Sequence, residues 1–163
     1  MALKPIVIGC DNAAVELKNI VLGVLKEEGR TFENVGVDSA DDQTEYPVIA
    51  QRVADKIIAS NYEKEGILIC GTGIGMAITA NKFPGIYAAV CHDNYSAERA
   101  RLSNNSNVCC MGARIIGPEL AKKILREWLS LEFKGGRSLS KVEKISAIEK
   151  ANYAVAAKGG PAK

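Results

Sequence analysis

The chain has 163 residues, enough for one α/β domain with a full core and too few for two ordinary ones. Its 21 Lys+Arg against 19 Asp+Glu leave a net charge of +2, which excludes the basic footprint of a nucleic-acid binder and a polybasic membrane patch. With 47% hydrophobic and 25% charged residues the composition is that of a folded globular protein, and no apolar run approaches the ~20 residues of a membrane span. The opening MALKPIVIGCDNA carries too short an apolar run for a signal peptide, and the five cysteines, an odd number, read as reduced thiols of a cytoplasmic protein.

The pattern alternates strand and helix throughout. Residues 4–10 (KPIVIGC) are a short apolar run, as expected of a buried parallel strand. Residues 13–28 follow with Val15, Leu17, Ile20, Val21, Val24 and Leu25 at helical spacing and Gly29 as a stop. A second strand is expected at 31–37, then a polar loop, then a helix over 47–60 opened by Pro47. GILIC (66–70) is the clearest strand, and Gly71-Thr72-Gly73-Ile74-Gly75 leads from it into a helix reaching Lys82. Pro84-Gly85 is a turn, IYAAVC (86–91) a fourth strand, and 95–102 a helix. NVCCMG (107–112) is a fifth strand, and Gly117-Pro118 opens an amphipathic helix to Leu131. After the loop Gly135-Gly136-Arg137 a last helix starts near Ser138; residues 1–150 form the single domain and 151–163 a frayed tail.

Five strands alternating with helices imply an open, mostly parallel sheet covered on both faces, with the ligand beyond the carboxyl ends of the strands. That edge holds Asp11 and Asn12, Cys70 through Gly75, His92 and Asp93, and Gly112 through Arg114. The glycine loop can turn several backbone N–H groups into one small volume, a nest for a phosphate or a developing oxyanion; otherwise it only packs helix on strand. A dinucleotide loop is the specific rival, with Asp93 placed for a ribose, but Met76 breaks G-x-G-x-x-G and the loop follows the third strand. Cys70, directly before the nest, is a candidate nucleophile, metal ligand or general base, or a small buried residue ending a strand. No Cys/His/carboxylate spacing matches a zinc site, so no metal is expected. His92 either lines the site or faces solvent. Asp11 is a site residue or a helix cap, and Asn12 is open in the same way. Arg114, Arg137 and Lys141 suit a phosphate, though such cations are also ordinary surface charges.

GILICGTGIGMAITANKFPGI, the opening GCD, NYSAERARLSNNSN and EFKGGRSLSKVEKISAIE resemble the type B ribose-5-phosphate isomerases, a family that also contains the galactose-6-phosphate isomerase subunits. The resemblance runs from about residue 5 to 150. It implies a Rossmann-like three-layer α/β/α sandwich, a homodimer or dimer of dimers, and metal-free, cofactor-free interconversion of aldose and ketose phosphates through an enediolate. It casts Cys70 as the base between C1 and C2 and Thr72 as the group assisting proton transfer at the sugar oxygens. The amides of Gly71, Gly73 and Gly75, with Ile74 among them, hold the oxyanion. Asp11 and Asn104 meet sugar hydroxyls, and Arg114 and Arg137 meet the phosphate, Arg137 from the partner subunit.

The pattern is broken in four positions. Asn12, Ser103 and Ser138 stand where the family has histidine, and Lys141 where it has a second phosphate arginine. The histidine replaced by Ser103 is the one assigned to opening the sugar ring. Ribose 5-phosphate is the default substrate. A tetrose 4-phosphate, which cannot close a furanose, is the main alternative, and a hexose 6-phosphate another. A protein that holds a phosphorylated ligand or nucleotide without chemistry is the rival of a different class.

Overall fold

In a computed structural model, residues 3–157 are described. The elements run β1 (Ile6–Cys10), a 3-10 turn (Asn12–Ala14), α1 (Val15–Glu27), β2 (Phe32–Asn34), α2 (Tyr46–Ala59), β3 (Glu65–Cys70), α3 (Ile74–Ala80) and β4 (Ala88–Val90). Then come α4 (Asn94–Leu102), β5 (Val108–Gly112), α5 (Pro118–Ser130), a second 3-10 turn (Gly136–Ser138) and α6 (Leu139–Ala157). The five strands form one sheet in the order β2-β1-β3-β5-β4, and every neighbouring pair is parallel. β1, β3 and β5 are buried along their whole length, which is why their sequences read as continuous apolar runs. α1, α4 and α5 pack together, as do α2 and α3, giving the three layers expected of this α/β/α sandwich. The chain leaves β1 toward β2 on one side and returns to β3 on the other. The ends of β1 and β3 therefore bound the crevice where such sheets take ligands.

Several ends differ from the expected ones for local reasons. β2 stops at Asn34 because the Asn34 side chain accepts from the Gly36 amide at 3.0 Å and turns the chain. Val35 and Val37 still donate to Ile8 and Cys10 of β1, at 2.9 and 3.0 Å. α1 begins at Val15 because Asp11 caps a 3-10 turn first. β4 is limited to Ala88–Val90, although the Cys91 amide still reaches the Cys110 carbonyl at 2.9 Å. α6 remains helical to Ala157, past the expected end at 150; the rest of the expected tail, 158–163, lies outside the described residues. Among the described residues no helix is long and apolar enough to cross a membrane.

The core closes around one buried ion pair. Arg101 of α4 donates to Glu65 at the start of β3 at 2.8 Å, with the two side chains only 8% and 5% exposed. Its remaining nitrogens reach the Ser106 and Leu131 carbonyls, and its guanidinium lies 4.4 Å from the centre of the fully buried Trp128 ring. Arg101→Met strands the Glu65 carboxylate inside the protein. At fixed protein concentration it should lower the unfolding free energy in urea titrations by about 3–5 kcal/mol. Adding Glu65→Leu should recover part of that loss, since the second change removes the stranded charge.

Candidate active site

Cys70 ends β3 at the carboxyl edge of the sheet. Its Sγ accepts a hydrogen bond from the Gly73 amide at 3.1 Å. The amide can turn back onto the thiol because Gly73 has φ of 76°, and a Cβ there would stand 3.0–3.2 Å from the Met111 backbone. The facing glycine, Gly112, leaves no room either: a Cβ on it would come within 2.7–2.8 Å of the Thr72 backbone. Two hydrogen bonds join the segments, Ala113 amide to Cys70 carbonyl at 2.8 Å and Arg114 amide to Gly71 carbonyl at 3.0 Å. The glycine loop is thus clamped to the end of β5. Thr72 and Ile74 are exposed at its mouth, and the Thr72 hydroxyl accepts from the Ile74 amide at 3.4 Å.

Other groups gather on the same edge. Asp11 and Asn12 follow β1, and the Asp11 amide donates to the Ile69 carbonyl at 3.3 Å. The Asp11 carboxylate caps the 3-10 turn by accepting from the Ala13 amide at 3.1 Å. Burial pushes this carboxyl above its ordinary range, and the Ala13 bond and the Arg114 charge partly offset that. A Cβ on Gly71 would meet the Arg114 side chain at 3.5–3.6 Å, so a cation stands beside the loop. His92 is half-buried, and its Nε2 accepts from the Gly112 amide at 3.0 Å. A backbone amide can only donate, so the imidazole proton of this histidine sits on Nδ1.

Cys70 differs from the other four cysteines in being 5% exposed where they are fully buried. Burial pushes the Cys10 thiol up to about 11 and raises Cys110 as well; Cys109 is raised by the adjoining Cys91 and by burial. These thiols are small strand residues. Among the described residues no group of three His, Cys, Asp or Glu side chains is arranged to hold a metal. Tyr46 is the residue that motif reading misses. Its ring lies where a Cβ on Gly75 would be, so it roofs the loop. The only sequence signal is an aromatic residue just before Pro47.

The remaining expected residues lie elsewhere. Ser103 ends α4, its amide donating to the Arg99 carbonyl at 2.8 Å, and Asn104 follows, exposed. Both precede β5, whose Val108 pairs with Gly66 while its Gly112 pairs with Cys70. They belong to the amino edge, and the four steps from Gly66 to Cys70 alone separate the edges by roughly 13 Å. Gly136 shares a pocket with Leu102, so the turn bearing Arg137 stands beside the end of α4, and Lys141 follows one helical turn on. The expected residues thus form two groups. Cys70, Thr72, the glycine loop, Asp11, Asn12 and Arg114 meet on one edge, whereas Ser103, Asn104, Arg137 and Lys141 do not join them within one chain.

Asp11→Asn keeps the cap to Ala13 and removes a carboxylate that burial disfavours. Asp11 holds its proton to higher pH in the folded chain than in the unfolded one, so its contribution favours folding in acid and is lost as pH rises through the folded value. The variant should melt above the parent at about pH 7 and lose that advantage toward about pH 4, as read by thermal melts across that range.

The Ribose/Galactose Isomerase family profile matches residues 6–145. A D-erythrulose-4-phosphate isomerase of Pectobacterium atrosepticum is 51% identical over 144 residues, covering 88% of this chain and 94% of that protein. A protein named ribose-5-P isomerase B from Listeria innocua is 49% identical, covering 90% of this chain and 98% of its own. Among solved structures, ribose-5-phosphate isomerase B of Mycoplasma genitalium with bound ribulose-5-phosphate superposes with a TM-score of 0.85 at 35% identity, covering 90% of this chain and 96% of that one. With a profile spanning nearly the whole domain and relatives matched end to end, this chain belongs to the ribose/galactose isomerase family.

Proposed function

We propose that the protein is an aldose–ketose isomerase of short sugar phosphates, with Cys70 as its base. The observation that carries this reading is the Gly73 amide aimed at the Cys70 sulfur at the mouth of a clamped glycine loop. Isomerisation needs a base beside the carbon next to the carbonyl and donors around the oxygen that gains charge. Cys70 takes the proton from C2 of the aldose, and the electron pair moves to the carbonyl oxygen, giving an enediolate held by the loop amides. Return of the proton at C1 gives the ketose, while the Thr72 hydroxyl moves the second proton between O1 and O2. The reaction is an internal redox exchange, so it balances without a co-reactant.

The phosphate end implies a second copy of the chain. Arg137 and Lys141, with Ser103 and Asn104, lie on the edge away from Cys70. In a two-fold dimer each subunit would offer its loop edge to one site and its Arg137 edge to the other. Exposed Ile74 and Ile78 on α3, and Ile145 and Ile148 on α6, are apolar surface suited to such a contact. Cys70→Ala and Arg137→Ala are each expected to abolish turnover. Mixing and exchanging the two variants should restore about a quarter of parent activity, because half the dimers are hybrids with one intact site. No recovery despite verified exchange would mean that Arg137 serves its own subunit.

The substrate is one that arrives open. Ser103 and Asn12 cannot shuttle a proton to a ring oxygen near neutral pH, and the one histidine of the chain, His92, has its Nε2 engaged by Gly112. A tetrose or tetrulose 4-phosphate has its O4 blocked and forms no furanose, so it needs no opening. Ribose 5-phosphate, the pentose reading supported by the Listeria relative, would be used only as its spontaneously opened form. With ribose 5-phosphate, turnover should stop rising with enzyme concentration once ring opening sets the pace. With D-erythrulose 4-phosphate it should stay linear, and Ser103→His should lift the pentose plateau. Linear behaviour with both sugars would assign ring opening to the protein.

A further inference from the structure

Lys18 is a fully buried lysine on α1, and no step proposed so far uses it. Its Nζ donates to the Val37 carbonyl at 2.8 Å and pairs with Asp38, whose side chain is 79% exposed. The Val37 carbonyl also accepts from the Cys10 thiol at 3.5 Å, and the Val37 amide donates to the Cys10 carbonyl at 3.0 Å. Beside them Gly36 lies against the Cys10 backbone with no room for a Cβ. The segment 36–38 is therefore a strap over the last residue of β1, and Lys18 fastens it from inside the protein. Just past the strapped residue stands Asp11. The loop leaving the strap ends at Tyr46, the ring that roofs Gly75.

An ammonium is a costly way to hold a strap. It gives up its hydration, and its partner carboxylate stays in solvent and returns little of the loss. An apolar side chain of similar length would fill the same space more cheaply if packing were the whole purpose. Backbone carbonyls such as Val37 need a donor to be fixed in direction, and only a charged or polar group supplies one here.

We propose that Lys18 is a positioning residue for the isomerase site: by fastening 36–38 to the end of β1 it sets the Asp11 carboxylate and the Tyr46 ring against the glycine loop. This rests on the isomerase reading of that loop. The test is Lys18→Met, studied as the full-length protein by three measurements. Thermal melting reports the fold, steady-state kinetics on D-erythrulose 4-phosphate report the site, and amide hydrogen exchange reports the strap without any substrate. The expected result is a melting temperature at or above the parent's, faster exchange at residues 10–14 and 35–46 only, and kcat/KM lowered about tenfold or more, chiefly through KM. A purely structural lysine gives the opposite, a lower melting temperature with kcat and KM unchanged; that outcome, or unchanged exchange in the strap, overturns the proposal. If Lys18→Met does not fold, Lys18→Gln decides, since it keeps a polar donor at the buried position but shortens its reach to the Val37 carbonyl. A rise in KM with faster strap exchange supports the proposal, and unchanged values of both overturn it. A parent protein inactive on every sugar phosphate would overturn the isomerase reading instead, and the exchange measurement would still report on the strap.

Discussion

The close approach of two backbones, Gly71–Gly73 at the end of β3 and Met111–Ala113 at the end of β5, is the contact on which the site depends. Neither Gly73 nor Gly112 has space for a side chain, and two backbone hydrogen bonds hold the segments in register. Because β3 and β5 are parallel neighbours in the middle of the sheet, this contact rests on the most deeply buried part of the molecule. A loop held on both flanks cannot relax to follow the charge of a bound anion. Its amides keep their direction before substrate arrives, the condition under which backbone dipoles contribute most to stabilising a charged intermediate. The same contact sets the Gly73 amide on the Cys70 sulfur, so the proposed base and oxyanion donors share one rigid support.

Much of this is legible in the sequence, and the exceptions have particular causes. β1, β3, β4 and β5 lie in short apolar runs with turn residues after them, whereas β2 is the mixed Phe32-Glu33-Asn34, and the order β-α-β-α follows from their spacing. The G-T-G-I-G loop directly after GILIC places the chemistry at the carboxyl edge. The end of β2 is not legible, because an Asn34 side chain folding back to Gly36 is a local bond without a periodic signature. Lys18 hides in another way. Its neighbours Leu17 and Val21 mark a buried face, and a lysine among them reads as belonging to the solvent side until its acceptors are seen. The side on which Ser103 and Asn104 stand is the largest omission: the resemblance sends Arg137 to the partner's site, while the chain order that puts these two before β5, whereas Cys70 ends β3, carries no motif to announce it.

His92 illustrates how a residue type misleads without its hydrogen bonds. As the only histidine of the chain, near the end of β4, it is the obvious stand-in for the histidines absent at Asn12 and Ser103. The Gly112 amide occupies its Nε2, so it acts as a brace between β4 and β5 at that atom. In the proposed reading the site has a thiol as base, amide donors, a hydroxyl and cations, and little provision for breaking a cyclic acetal.

The placement of Cys70 and Arg137 on opposite edges of one sheet has a bearing on how such a gene can diverge after duplication. In the proposed pairing each chain is a chemist for one cavity and a phosphate holder for the other. Two copies of the gene that pair with one another are then free to specialise. One keeps the cysteine loop and loses its basic edge, the other the reverse, and a single working cavity survives in the mixed pair. Subunits with unlike roles arise in this way by loss alone, without any new residue having to appear.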